Sequence, residues 1–244
     1  MDRECPDIVT SSEDYARRFS GRAGEYFLDV QDKAVHLALA KGSGRTILDV
    51  GGGHGQVAEG LAASGKEVVV FGSDNVCFER LICDDLSRRC RFVTGDLLKL
   101  PFADQSFDVV IALRLISHIE AWATLIRELC RLAEHAVILE YPSLMSINAV
   151  GPLFFNVKKR IEGNTRTYRS FLPARLRAEF KAHHFDVTAI YPQFFLPMVL
   201  HRAMGGARLL RSAEKVFKGL GFTRLLGSPV IMRCDRIRSV THLV

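Results

Sequence analysis

The stretch Ile47-Leu48-Asp49-Val50-Gly51-Gly52-Gly53-His54-Gly55 constrains this chain more than any other. An aliphatic run carrying one acid ends in a cluster of glycines, and residues 56–63 follow with helical character. A strand, a glycine turn and a helix start make a cradle for a nucleotide-sized ligand. Glycine lets the backbone approach the ligand, and the first turn of a helix offers N–H groups that have no partner within the helix. Spacing selects the ligand class. A dinucleotide turn asks for G-x-G-x-x-G. Here glycines stand at 51, 53 and 55 and position 56 is glutamine, which turns the reading away from NAD.

The rest of the chain alternates in the same way. Strands are expected at 46–50, 68–71, 91–94, 109–112 and 136–140, with helices at 56–64, 75–83 and 120–132 between them. Short apolar strands alternating with amphipathic helices predict an α/β fold, a parallel sheet covered on both faces. Residues 12–40 read as a helix. Ser11, Ser12 and Glu13 can cap it, and Phe19, Phe27, Val30, Val35 and Leu39 fall roughly on one side. After Tyr141-Pro142 the rhythm is less regular. A helix is expected at 173–183, strands at 187–191 and 230–234, and a basic helical run at 207–220.

Composition narrows the classes. The 244 residues suit one decorated domain, 48% hydrophobic and 25% charged as in globular proteins. No apolar run reaches membrane-spanning length, and the charged start lacks a signal core. The cysteines at 5, 77, 83, 90, 130 and 234 form no C-x-x-C pair, which disfavours zinc or disulfides and fits a reduced, cytoplasmic setting. Charge is uneven: from Met198 onward nine Lys or Arg face two Asp or Glu. Such a tail suits an anionic membrane, an anionic substrate, nucleic acid or simply water.

In an open parallel sheet, ligands sit beyond the carboxyl ends of the strands. The first end carries Asp49 and the glycines. The second carries Ser73 and Asp74, either able to accept from a ribose hydroxyl. The third carries Gly95-Asp96-Leu97, and the fourth Leu113-Arg114. Together with Leu100-Pro101-Phe102-Ala103-Asp104-Gln105-Ser106-Phe107-Asp108-Val109-Val110, these residues resemble the class I S-adenosylmethionine-dependent methyltransferases. The branch in question includes the ubiquinone and menaquinone biosynthesis methyltransferases. The resemblance covers 46–141 well and 173–191 and 229–235 loosely. It implies a Rossmann-like sheet of seven mostly parallel strands with the last antiparallel, and helices on both faces. It also implies S-adenosylmethionine as cofactor and S-adenosylhomocysteine as product. Residues 1–45 would form a helical lid. Residues 46–244 would form the methyltransferase domain, with inserts at about 142–172 and 192–228 on the substrate side.

Carried over residue by residue, the resemblance places Gly51, Gly52 and Gly53 under the methionine part of the cofactor, with Asp49 supporting the turn. Asp96, with Gly95 and the Leu97 N–H beside it, would meet the adenine amine, and Leu113 backbone groups would hold the methionine amine. One departure stands out. The acid that usually ends the second strand and binds the ribose is replaced by Gly72. Either Ser73 or Asp74 substitutes, or the ribose is held through water or backbone. Asp104 and Asp108 read as turn and strand-start residues, and Phe102 and Phe107 as core.

His118 is the catalytic candidate, because a neutral imidazole just beyond the fourth strand can take a substrate proton near neutral pH. It can equally cap or pack the next helix. Tyr15, Arg18, Phe19, Arg114 and Tyr168 are substrate-side candidates; Arg114 would bind an anion or pair with Glu140. An Asn/Asp-Pro-Pro-aromatic signature is absent after the fourth strand, which disfavours methylation of nucleobase or amide nitrogens of that type and counts against a nucleic-acid partner. A small-molecule acceptor, methylated on O or C, is the expectation. Phe154, Phe155, Phe171, Phe194, Phe195 and Met198 are candidate apolar lining, and Lys158, Lys159, Arg160, Arg166, Arg169 and Arg202 could meet an anionic group. The basic 208–218 segment could rest on an anionic membrane. A cofactor-binding protein without turnover and an RNA-modifying enzyme remain the alternatives. Oligomeric state is not legible.

Overall fold

The computed structural model describes residues 3–42, 44–53, 55–83, 88–147, 168–206 and 208–237. Seven strands form one sheet: β1 (Thr46–Val50), β2 (Glu67–Gly72), β3 (Cys90–Thr94), β4 (Phe107–Ala112), β5 (Ala133–Tyr141), β6 (Phe185–Pro192) and β7 (Val230–Arg236). Their spatial order is β3-β2-β1-β4-β5-β7-β6. The pairs β3–β2, β2–β1, β1–β4 and β4–β5 are parallel, and β7 runs antiparallel to both β5 and β6. This is the Rossmann-like methyltransferase sheet that the sequence predicts.

The strands are apolar on both sides because both sides are covered. Leu48, Val50, Val69, Phe71, Val110, Val137 and Leu139 face one layer, made by α6 (Trp122–Leu132) and α7 (Pro173–Ala182). Ile47, Val68, Val70, Ile111 and Ile138 face the other, made by α3 (Gly21–Leu39), α4 (Gln56–Ala63) and α5 (Glu79–Cys83). α6 shows how the spacing works. Trp122, Leu125, Ile126, Leu129 and Leu132 recur at helical intervals, and all are buried. Each such side chain contributes about 1.5–3 kcal/mol of hydrophobic transfer, which offsets the ordering cost of the helix.

Two regions differ from expectation. The helix expected over 12–40 is divided into α2 (Glu13–Ala16), a tight turn at Arg17–Phe19, and α3. Ser20 is extended at φ −81°, and its hydroxyl donates to the Arg17 carbonyl at 2.7 Å, so the chain turns a corner there. A short helix, α1 (Asp7–Thr10), precedes α2 and, at four residues, is too short to show a helical period. The basic connection holds three helices: α8 (Met198–Ala203), α9 (Arg208–Gly219) and α10 (Phe222–Leu226). A buried polar group anchors it. The Glu214 carboxylate accepts from the Phe195 and Leu196 N–H groups at 3.0 and 2.9 Å, and His201 Nε2 lies 3.2 Å from it.

Phe154, Phe155, Lys158, Lys159, Arg160 and Arg166 lie outside the described residues, as does His54. Phe107 is buried and Phe102 packs on the same core, edge-on at 5.1 Å. Asp108 accepts from the Arg45 and Thr46 N–H groups and so fixes the start of β1, at the end of the sheet away from the glycine turn. Asp104 pairs with Arg131 at 2.8 Å. Among the described residues, no helix is long and apolar enough to cross a membrane.

Candidate active site

The carboxyl ends of β1 to β4 converge as the sequence predicts. At β1, the Gly51 N–H donates to the Phe71 carbonyl at 2.8 Å, tying the turn to β2. Gly51 sits at φ +74°, a conformation that costs an L-residue about 1–2 kcal/mol. Gly53 is forced by contact: a Cβ there would lie 1.8 Å from Ser11 Oγ and 2.8 Å from the Cys77 carbonyl. Asp49 is buried beneath Gly52, whose missing side chain leaves room for the carboxylate. Burial pushes the Asp49 carboxyl up to about 7, against the pull of the Arg114 guanidinium.

At β2, Ser73 is buried. Its N–H donates at 2.6 Å to Asp7 Oδ2, a carboxylate brought by α1, and its hydroxyl has no partner. Asp74 is exposed, and its carboxylate accepts from the Val76 N–H at 3.1 Å, capping the turn Asn75–Phe78. Ser73 therefore faces inward, and Asp74 serves its own turn. At β3, the Gly95 N–H donates to the Gly72 carbonyl at 3.1 Å, and Asp96 accepts from the Leu98 N–H at 2.8 Å. Leu97 is fully buried below. The Arg3 guanidinium spans the two strand ends, donating to the carbonyls of Ser73 and Gly95.

At β4, Leu113 is buried and Arg114 takes φ +55°, rare for a non-glycine residue and a form of strain that clusters at functional sites. The Arg114 guanidinium stacks over the Phe19 ring at 4.5 Å. Its backbone N–H donates to Glu140. Glu140 is buried at the end of β5 and also accepts from Gln31 Nε2 at 2.6 Å and Gln193 Nε2 at 2.8 Å. Burial holds its carboxyl above the usual carboxylate range, while Arg114 opposes that shift.

The ends of β1 and β4 border a cavity lined by Thr10, Tyr15, Asp49, Gly51, Gly52, Gly55, Val57, Leu113 and Arg114. Tyr15 closes one side, with burial raising its phenol, and Arg18 lies over its ring at 5.2 Å. Tyr15 and Phe19 meet at 5.7 Å, so the three lid candidates stand together with Arg114. His118 and Tyr168 form a separate edge-to-face pair at 5.7 Å, and neither is among the described residues that line the cavity. Arg169 donates to the Glu120 carbonyl at 3.3 Å, and Arg202 lies over Phe27 at 5.6 Å.

Sequence reasoning missed Asp7 and Thr10 and gave Ser11 only a capping role, because a segment this short carries no motif. It also missed Gln31 and Gln193, whose role depends on a carboxylate more than a hundred residues from Gln31.

Residues 48–139 match the family described as methyltransferase domain. A demethylmenaquinone methyltransferase of Roseiflexus sp. is 36% identical over 110 residues, 43% of this chain and 46% of that protein. A cycloartenol-C-24-methyltransferase of Arabidopsis thaliana is 29% identical over 126 residues, 46% of this chain and 37% of that protein. The matches thus span less than half the length of these curated relatives. In fold, the chain is similar to the magnesium protoporphyrin IX methyltransferase of Synechocystis PCC 6803 with bound SAH. The TM-score is 0.62 at 17% identity, covering 92% of this chain and 93% of that one.

Proposed function

From a class I methyltransferase domain at residues 48–139, we propose that the chain transfers a methyl group from S-adenosylmethionine to a small-molecule acceptor. The acceptor we favour is aromatic or lipophilic and takes the methyl on oxygen or carbon. The observation that carries this reading is the cavity at the glycine turn. It is lined by the residues of the matched segment and roofed by Thr10 and Tyr15 from outside it. The residues fit the cofactor. The turn at Gly51–Gly53 leaves no side chain in the way, Asp49 lines the cavity with a carboxyl that a cationic ligand would draw toward its charged form, and the buried Ser73 hydroxyl has no partner in the chain.

When bound, S-adenosylmethionine supplies a methyl group already activated by its sulfonium, so that an acceptor displaces it in line. The protein is left with alignment and exclusion of water. Asp49, the glycines and the Leu113 backbone would hold the methionine end, and Gly95, Asp96 and Leu97 the adenine end. Residues 1–45 would act as a lid, with Tyr15 and Arg18 over the cavity. Arg114, held at φ +55° and steadied on Phe19, would orient the acceptor. For a hydroxyl acceptor, His118 would take the proton, with Tyr168 against its ring fixing the imidazole.

Calorimetry tests the cofactor directly: S-adenosylmethionine should bind and NAD should not, and the reverse would sink the reading. Methyl transfer from labelled cofactor to phenols and quinols tests turnover. His118→Ala should lower kcat about a hundredfold or more on a hydroxyl acceptor. Cofactor affinity should stay unchanged in that variant; an unaltered kcat would remove His118 from the chemistry.

We further propose that α9 meets an anionic membrane while the site takes up a lipophilic acceptor. Leu209 and Val216 on α9 and Leu220 just past its end are exposed along one side, with Arg208 and Lys215 flanking them. Vesicles rich in anionic lipid should retain the protein at low salt and release it at high salt. Equal retention on neutral vesicles would contradict the electrostatic part.

A further inference from the structure

We infer that Asp7, on α1, is the carboxylate that accepts from the two ribose hydroxyls of the cofactor, a task for which β2 itself has no acid. This rests on the reading of S-adenosylmethionine as ligand and deepens it.

The packing at the end of β2 rules out a strand-borne acid. A Cβ at Gly72 would lie 2.9 Å from the Phe78 ring and 3.0 Å from Cys77 Cβ. Those side chains fill the space a carboxylate would need. Asp7 arrives from the other side. Its side chain is fully buried, and Oδ2 accepts from the Ser73 N–H at 2.6 Å and from the Cys77 thiol at 3.4 Å. Its Oδ1 has no partner. Nearby, the hydroxyls of Ser73 and Ser11 are also buried without partners, and Ser11 Oγ presses on Gly53 of the glycine turn. Cys77 links the group, touching Asp7 through sulfur and Gly53 through its carbonyl.

One carboxylate oxygen and two hydroxyl oxygens are thus gathered without partners between Gly53 and Ser73. Buried polar atoms are almost always paired, and an orphaned carboxylate oxygen is the costliest kind. The ligand that settles this group must bring donors. A vicinal diol brings two O–H donors on adjacent carbons, which the two open lone pairs of Oδ1 can take, and its own oxygens can accept from the serine hydroxyls. The acids that follow β2 and β3 are engaged elsewhere: Asp74 caps its own turn and Asp96 takes the Leu98 N–H. Because Asp7 belongs to α1, cofactor binding would also hold the N-terminal segment down over the site.

The test is calorimetry of the full chain with S-adenosylhomocysteine, which binds without reacting, and with its 2′-deoxy and 3′-deoxy forms. The wild type should bind the intact ligand about 10–100-fold more tightly than either deoxy form. Asp7→Ala should lose a similar factor for the intact ligand and no longer distinguish the deoxy forms. Asp7→Asn, which keeps the shape and one acceptor, should fall between and serves as the test if Asp7→Ala does not fold. Wild-type affinity or retained discrimination in a folded Asp7 variant overturns the assignment. Tighter binding by the variant overturns it too, and means that the segment obstructs the site. If the wild type binds neither S-adenosylhomocysteine nor S-adenosylmethionine, the parent reading falls and takes this one with it. Wild-type binding with indifferent variants removes Asp7 alone.

Discussion

The carboxyl ends of β1 and β2 lie side by side and are furnished from opposite sources. β1 carries its own acid, Asp49, and runs directly into its own glycine turn. β2 ends in Gly72, sends Asp74 outward to cap a turn, and receives its inward carboxylate from α1, 66 residues away. Both carboxylates are buried, yet Asp49 was visible in the sequence and Asp7 was not. A strand that supplies its own site leaves a local pattern of residues. A strand that borrows leaves only a gap, here the glycine at 72. The gap says that something is missing but not which segment fills it.

The largest effect expected from this contrast concerns Asp49. Its carboxyl titrates near 3.8 when unfolded and is raised to about 7 in the folded chain, chiefly by burial. Below pH 3.8 both states hold the proton and the contribution to stability is complete. As pH rises toward 7, the unfolded state gives up its proton while the folded state keeps it, so stability falls, by at most about 1.4 kcal/mol per pH unit. Above pH 7 the loss levels off. Asp49→Asn removes this titration. Ligand-free Asp49→Asn should therefore gain on the wild type from pH 4 to pH 7, ending about 2–4 kcal/mol more stable at pH 8. Chemical denaturation across that range checks it. Parallel pH profiles for the two proteins would show that the carboxylate is better solvated or better paired than its burial indicates.

How far the sequence could be read follows the same division. The sheet was legible because each central strand is apolar on both faces and each covering helix repeats its apolar residues at its own period, as α6 does from Trp122 to Leu132. The glycine turn was legible because the conformation of Gly51 and the contact at Gly53 restrict residue type. The break at Ser20 was not, because its one local signal, the Ser20-Gly21 pair whose glycine takes φ +67°, sits inside apolar periodicity that continues on either side. The polar clusters were not legible either. Glu140 is satisfied by Gln31 on α3 and Gln193 after β6, and Glu214 by backbone N–H groups at 195 and 196. Glutamine and backbone donors carry no sequence signature. Such partners emerge only when the fold brings distant segments together, and the pairing of His118 with Tyr168 is of that kind.

The smallest expected effect is the one that most directly separates the two strand ends. Asp74 stands where a reader of the sequence looks for the ribose ligand, two residues past the end of β2. Its carboxylate is exposed and engaged with the Val76 N–H, so its role is that of a cap on a short surface turn. Removing a cap of this kind costs about 0.5–1 kcal/mol. Asp74→Ala should show that modest loss in chemical denaturation, with its affinity for S-adenosylhomocysteine within about twofold of the wild type, since about 0.4 kcal/mol separates a twofold change. A tenfold loss in Asp74→Ala would mean that the turn reorganises on binding and that β2 furnishes its own carboxylate after all. The contrast with β1 would then disappear. Asp7 would be left as a buried group whose only function is to hold α1 against Ser73.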